Sequence, residues 1–303
     1  MSSVKEYSGN GAFFYPPITV YESENDKILV KLEKWKTRKI VINKLYDTNF
    51  RVLITEDGGV CPIIGKNPNP IDFLNVIFAT FTTSFFPCYH MRPSDFTGFT
   101  WKENDNSVTM NRMYQLGSLR SQLEVKRDSE STFHDWLMMP REPIKKSTMV
   151  KVLDFAHVIY QNNELKSDIL LIGEAFSLFF DQMHKASFLY SWMLIENFLE
   201  RVWHNHVDSL FQNNTVQIKI LKEFVRNTSD NYIKMFTELG KIDTKACQAL
   251  HKFREIRNDI VHEKYTPTSD ETHDCLMCAL LIFTNRIENK NPFDGIKLDF
   301  YKS

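Results

Sequence analysis

The sequence predicts an α+β protein: a mixed, strand-rich N-terminal domain over residues 1–145, then an all-α bundle over residues 146–303. Three observations predict it. Nine of the eleven prolines fall at or before Pro143, and the next is Pro267. The proline-free stretch from Ile144 to Thr266 suits helices, because an interior proline breaks them. Seven of the ten glycines lie before residue 120, which agrees. Finally, the apolar period changes from two in the first half to about 3.6 in the second.

In the first half, Lys27 to Lys34 alternates, with Ile28, Val30 and Leu32 on one face. Lys39 to Lys44 alternates in the same way, and Phe50 to Thr55 precedes a turn at Asp57-Gly58-Gly59. These segments read as strands. Asn69-Pro70-Ile71-Asp72 reads as a helix start, with Asn as cap and Pro in the first turn, and the run to Ser84 reads as that helix, although its threonines and phenylalanines also suit a buried strand. Phe96 to Trp101 and Ser107 to Tyr114 read as further short strands. No phosphate loop, nucleophile elbow or metal-ligand cluster is visible here. His90, between Tyr89 and Met91, reads as a packed or surface histidine.

The second half carries apolar stripes at helical spacing over Thr148 to Asn162, Leu165 to Asp181, Gln182 to Trp203, Ile218 to Arg226, Tyr232 to Leu239, Ile242 to about Val261, and Asp270 to Ile287. Such stripes are core faces by default.

The bulk composition is that of a globular chain, with 43% apolar and 25% charged residues. Its 24 phenylalanines argue for a packed interior. Formal net charge is −1, so no global basic field announces a nucleic-acid partner, and RNA binding would rest on local patches. Pro140 to Lys146 is one small basic candidate, although a solvated linker explains it more simply. The five cysteines, at 61, 88, 247, 275 and 278, form no disulfide framework and fit a reducing cytoplasm. Cys275 and Cys278 have CxxC spacing inside an apolar helical run and read as buried structural thiols rather than a metal site. No cofactor and no metal is expected. No signal peptide is visible, and the longest apolar stretch, Val76 to Phe86, is too short to span a bilayer.

Chemistry concentrates in Arg257-Asn258-Asp259-Ile260-Val261-His262. An arginine followed by a histidine after four to six residues is a loose pattern, and Arg127 with His134 and Arg201 with His206 share it. Only Arg257 is both followed by a polar residue, Asn258, and placed at the end of a long amphipathic helix. With this context, the segment resembles the hallmark of HEPN domains, four- to five-helix bundles of prokaryotic toxins, antiviral nucleases and CRISPR effectors. The upstream helix containing Leu189, Trp192, Ile195-Glu196 and Phe198-Leu199 resembles their earlier core helix. The likeness covers about Thr148 to Asn289. A mixed domain ahead of such a bundle resembles the ApeA-like branch of abortive-infection proteins.

The resemblance implies a metal-independent endoribonuclease that cleaves RNA through its own 2′-hydroxyl. It implies that His262 handles protons, Arg257 holds the phosphate, and Asn258 orients the pair or the RNA. These residue types suit the chemistry. Histidine titrates near neutrality. Arginine stays charged and its fork matches phosphate oxygens. It further implies a cytoplasmic defence protein whose N-terminal domain senses a phage-derived or protein trigger or presents substrate. The alternative is a HEPN bundle without catalysis that only dimerises or binds a partner. Glu196 is a fourth candidate: it is either a buried carboxylate paired with Arg257 or an exposed charge on a helix edge.

Residues five apart on a regular helix differ by about 140° in direction. Arg257 therefore falls beside the apolar stripe, His262 points nearly opposite to it, and Asn258 shares a face with His262. A homodimer through the C-terminal domain would let two copies of the motif build one site across a two-fold axis. Tyr265 lies three residues after His262, whereas toxins of related two-gene systems place a modifiable tyrosine two after it.

Overall fold

The computed structural model describes residues 5–14, 18–22, 37–47, 50–64, 70–84, 88–92, 95–110, 142–210, 228–262 and 265–298. The chain is mixed: strands dominate its N-terminal part and helices its C-terminal part. It divides into two compact units between Lys166 and Ser167.

The strands of the first unit are β1 (Glu6–Phe13), β2 (Ile18–Tyr21), β3 (Thr37–Asp47), β4 (Phe50–Thr55), β5 (Gly59–Ile64), β6 (Thr97–Lys102), β7 (Ser107–Met110) and β8 (Glu142–Lys145). Six of them close an antiparallel barrel in the order β1-β5-β4-β3-β7-β6. Closure depends on β1, which pairs with β6 through Glu6 to Gly11 and with β5 through Ala12 and Phe13. Register shifts in β3 between Ile40 and Ile42, and between Leu45 and Asp47, bend that strand around the wall. Alternate residues point inward, so Leu53, Cys61, Phe99, Trp101, Val108 and Met110 fill the interior.

β1 escapes a reading by period because of Gly9 and Gly11. Those glycines are required by packing: a Cβ on Gly11 would lie 2.7 Å from the Val60 carbonyl oxygen, and one on Gly9 3.0 Å from the Phe99 ring. In the β4–β5 turn Gly58 has φ +80°, which favours glycine, and a Cβ there would lie 2.7 Å from Ile18 Cγ1.

β2 and β8 form a separate parallel pair, Ile18 opposite Glu142 and Tyr21 opposite Lys145. Glu142 to Lys145 is thus a strand rather than the linker expected there. It is a solvated strand, since only Ile144 of the four is buried. Pro143 is tolerated because the pair is an edge on both sides.

Two helices complete this unit. In α1 (Pro70–Ser84) every residue from Phe73 to Phe81 is buried. Its Asn75 side chain clamps the main chain of Met91 through both polar atoms, at 2.6 and 3.0 Å. α2 (Lys146–Gln161) packs its rings against the barrel and α1: His157 stacks on Tyr46 of β3 at 4.1 Å and Tyr160 meets Phe73 of α1 edge-on at 5.1 Å. Residues 146–161, expected to open the helical domain, therefore belong with the first unit.

The second unit contains α3 (Asn163–Phe180, from Ser167 onward), α4 (His184–Leu210), α5 (Ser229–Glu238), α6 (Thr244–Val261) and α7 (Ser269–Ile287). Asp243 caps α6, accepting from the Ala246 N–H at 2.8 Å. Thr268 and Glu271 form a capping box at the start of α7. Phe188, Trp192, Ile195 and Leu199 of α4 are buried with Phe253 and Ile256 of α6 and Leu276 and Ile282 of α7. Cys275 and Cys278 are free, fully buried thiols, and burial pushes both up. Near one side Asp168 of α3 accepts 2.7 Å hydrogen bonds from Arg201 of α4 and Arg286 of α7, which ties three helices through one buried carboxylate.

The expected strand at Lys27 to Lys34, the expected helix at Ile218 to Arg226, the end of the Ser107–Tyr114 strand and the Arg127–His134 pair lie outside the described residues. No described helix is long and apolar enough to cross a membrane.

Candidate functional site at the end of α6

α6 is amphipathic. Ala246, Ala249, Leu250, Phe253, Ile256 and Ile260 are buried and fix the helix against its neighbours. Burying these side chains at about 25 cal/mol per Å² holds the rotation of the helix far more firmly than any one polar contact could. That rotation decides where the polar residues of the last turns go. Arg257 and Asn258 are half-buried, while Asp259, Val261 and His262 are exposed.

Helical hydrogen bonding ends at His262, the C-terminal cap (φ −86°, ψ 13°). Its main-chain N–H donates to the Asn258 carbonyl oxygen at 3.1 Å. The side chain of Asn258 serves the other partner: its Oδ1 accepts from Arg257 Nη1 at 3.2 Å. Asn258 thus holds the Arg257 guanidinium with its side chain, while its main-chain bond to His262 is the last turn of the helix. The His262 side chain is exposed, and its ring makes no hydrogen bond among the described residues. One guanidinium donor of Arg257 is used by Asn258, which leaves most of its fork for an anion.

No hydrogen bond joins Arg257 to His262, in keeping with their angular separation on the helix. Glu196, half-buried in α4, forms no hydrogen bond or ion pair with Arg257 among the described residues. Its charge instead bears on Tyr232 of α5. Burial, then Glu200, then Glu196 push the Tyr232 phenol up to about 12. The competing Arg201 is occupied at the Asp168 junction, away from any role with His206.

Tyr265 is also engaged. Its hydroxyl donates to Glu271 Oε2 at 2.7 Å, and that hydrogen bond, followed by burial, raises its pKa.

Sequence reasoning did not single out the neighbouring charge cluster. Asp230 of α5 meets Lys234 at 2.7 Å, Arg254 at 3.1 Å and His251 at 3.4 Å. The Lys234 hydrogen bond is the main cause that holds the Asp230 carboxyl below its ordinary value. The signal was present, because His251 lies seven residues and Arg254 four residues before Asn258, which is helical spacing. Among the described residues no group of His, Cys, Asp or Glu side chains is arranged to hold a metal ion.

No protein-family model matches the chain, and no curated protein or solved structure is significantly similar to it.

Proposed function

We propose that the second unit is a HEPN-type, metal-independent endoribonuclease, that it acts as a homodimer, and that the protein serves prokaryotic antiviral defence in the cytoplasm. The observation that carries the reading is the placement of Arg257, bonded to the Asn258 side chain, and of the exposed C-cap His262 in the last turn of one helix. The last turn of α6 thus presents a phosphate-matching cation, held by the Asn258 side chain, and an exposed imidazole at one helix end.

The chemistry balances without another reagent. The 2′-oxygen attacks the adjacent phosphorus while the bond from phosphorus to the 5′-oxygen breaks. The 2′-hydroxyl proton passes to one imidazole, and a second imidazolium protonates the leaving 5′-oxygen. The products are a 2′,3′-cyclic phosphate and a 5′-hydroxyl. Arg257 holds the non-bridging oxygens as charge builds. One chain supplies one His262, so a second copy across a two-fold axis supplies the other. Residual pairing of Arg257 with His262 across that axis removes the angular difficulty within a single helix. The first unit, with its closed barrel, would receive a phage-derived or protein trigger.

Arg257→Ala and His262→Ala test the reading beside wild type, with varied RNAs in EDTA. Wild type is expected to leave 2′,3′-cyclic phosphate ends. Each folded variant is expected to lose about 100-fold or more, the usual worth of general acid–base catalysis. Wild type that is inert towards every RNA, with both variants keeping the biological effect, would instead support a non-catalytic dimerisation or partner-binding module. Sedimentation of a strictly monomeric yet fully active enzyme would refute the dimeric site.

A further inference from the structure

The cation cluster on α5 and α6 extends the same face of the helix that carries Asn258 and His262. With about 100° per residue, Arg254, Asn258, His251 and His262 fall within an arc of about 80°, and Arg257 lies beyond its Arg254 edge. The exposed carboxylates of α6 near this end, Glu255 and Asp259, fall on the opposite edge. One side of the arc is therefore cationic. At 1.5 Å per residue, His251 to His262 spans about 16 Å, longer than the step between neighbouring phosphates of an RNA strand.

The cluster is built, not merely adjacent. Asp230 Oδ1 receives both Arg254 Nη2 and His251 Nδ1, and Asp230 Oδ2 receives Lys234 Nζ. One carboxylate thus orients three cationic or potentially cationic groups and leaves net positive charge. Arg254 and His251 keep 28% and 27% of their side chains exposed, enough to meet a ligand while their stems stay fixed. Arg254 spends Nη2 on Asp230 and its Nε is buried, which leaves Nη1 as the donor for a phosphate oxygen.

We propose that Arg254 and His251, oriented by Asp230, form a second phosphate subsite that grips the RNA backbone beside the scissile phosphate held at Arg257 and His262. The subsite rests on the ribonuclease reading for its role, but its binding can be measured without cleavage. Its ligand class is single-stranded RNA, recognised through its backbone and without base preference.

The test measures anisotropy of a labelled single-stranded RNA across a salt series, in a His262→Ala background. Arg254→Ala is expected to weaken binding several-fold at low salt. It should also reduce the slope of log K against log salt by about 0.7, the value for one phosphate contact on a single strand. Arg254→Lys keeps the charge and is expected to keep the slope. Circular dichroism confirms that each variant is folded. A second arm compares cleavage of a long RNA with cleavage of a dinucleoside monophosphate, whose one phosphate is the scissile one. Arg254→Ala in otherwise wild-type protein should lose about tenfold on the long RNA and stay within about twofold on the dinucleotide. Unchanged affinity and slope in Arg254→Ala would overturn the subsite while leaving the nuclease intact. Wild type that cleaves no RNA, yet loses binding on Arg254→Ala, would overturn the nuclease and retain the subsite.

Discussion

Asp168→Ala is the sharpest test of how the helical unit is held together. The Asp168 side chain is 4% exposed and accepts from Arg201 and Arg286, both at 2.7 Å. At an effective dielectric of about 20, two unit charges about 4 Å apart attract by about 4 kcal/mol. Two such attractions are offset by repulsion between the guanidinium groups and by the cost of removing Asp168 from water. The net worth of the intact triad is therefore small. Truncation is a different quantity, because it removes the buried carboxylate on which both arginines converge. Removing one partner of a buried pair costs about 3–5 kcal/mol. Both arginines retain about a quarter of their exposure and can turn towards water, which places Asp168→Ala near the lower end. With a urea m-value of about 2 kcal/mol/M, a loss of about 3 kcal/mol lowers the midpoint by about 1.5 M. Urea unfolding followed by far-ultraviolet circular dichroism reads this directly, since the helices dominate that signal. A midpoint within about 0.5 M of wild type would refute the assignment of Asp168 as the junction. The triple variant Asp168→Leu, Arg201→Met, Arg286→Met should recover most of the loss, because apolar replacements remove the desolvation cost with the charges.

Two further outcomes follow from side chains already described. Thr268→Ala removes half of the α7 capping box and is expected to cost about 1 kcal/mol, with Thr268→Ser close to wild type in thermal unfolding. An unchanged Tm in Thr268→Ala would show that the box contributes nothing. Burial is the main cause that holds the His157 imidazole below its ordinary value, with Lys44 acting in the same sense and Asp47 and Asp154 opposing. The folded pKa thus lies below the unfolded value of about 6.5, so stability is full above about pH 6.5 and falls as pH drops through the folded value. His157→Phe keeps the stack on Tyr46 and should flatten that acid-side slope in urea midpoints measured across pH; an equal slope in both proteins would assign the titration elsewhere.

Elements with a clean period were legible. β4 runs from Phe50 to Thr55, the apolar run read as a strand ahead of its glycine turn, and α6 and α7 end at the residues where their stripes end. Four strands were not, and each has a physical reason. β1 contains two glycines that packing demands, β5 contains Pro62, and β2 and β8 are only four residues long. β2 and β8 become strands only by meeting each other, which no local pattern can show. At the candidate site, the exposure of His262 and the half-burial of Arg257 could be read from helix geometry. The link through Asn258 and the cluster on Asp230 could not, because one depends on a rotamer and the other on a neighbouring helix.

The parallel pairing of Tyr21 with Lys145 also sets an order of events during synthesis. β2 leaves the ribosome roughly 120 residues before its partner exists, which at about 5–20 residues per second is a wait of about 6–24 s. Joining segments so far apart costs about 4 kcal/mol of loop-closure entropy beyond the constant term. β2 therefore gains its partner only after the barrel strands have been made, and α2 begins at the very next residue, Lys146. A ribosome that stalls before Lys145 would carry a first unit with its parallel pair still open.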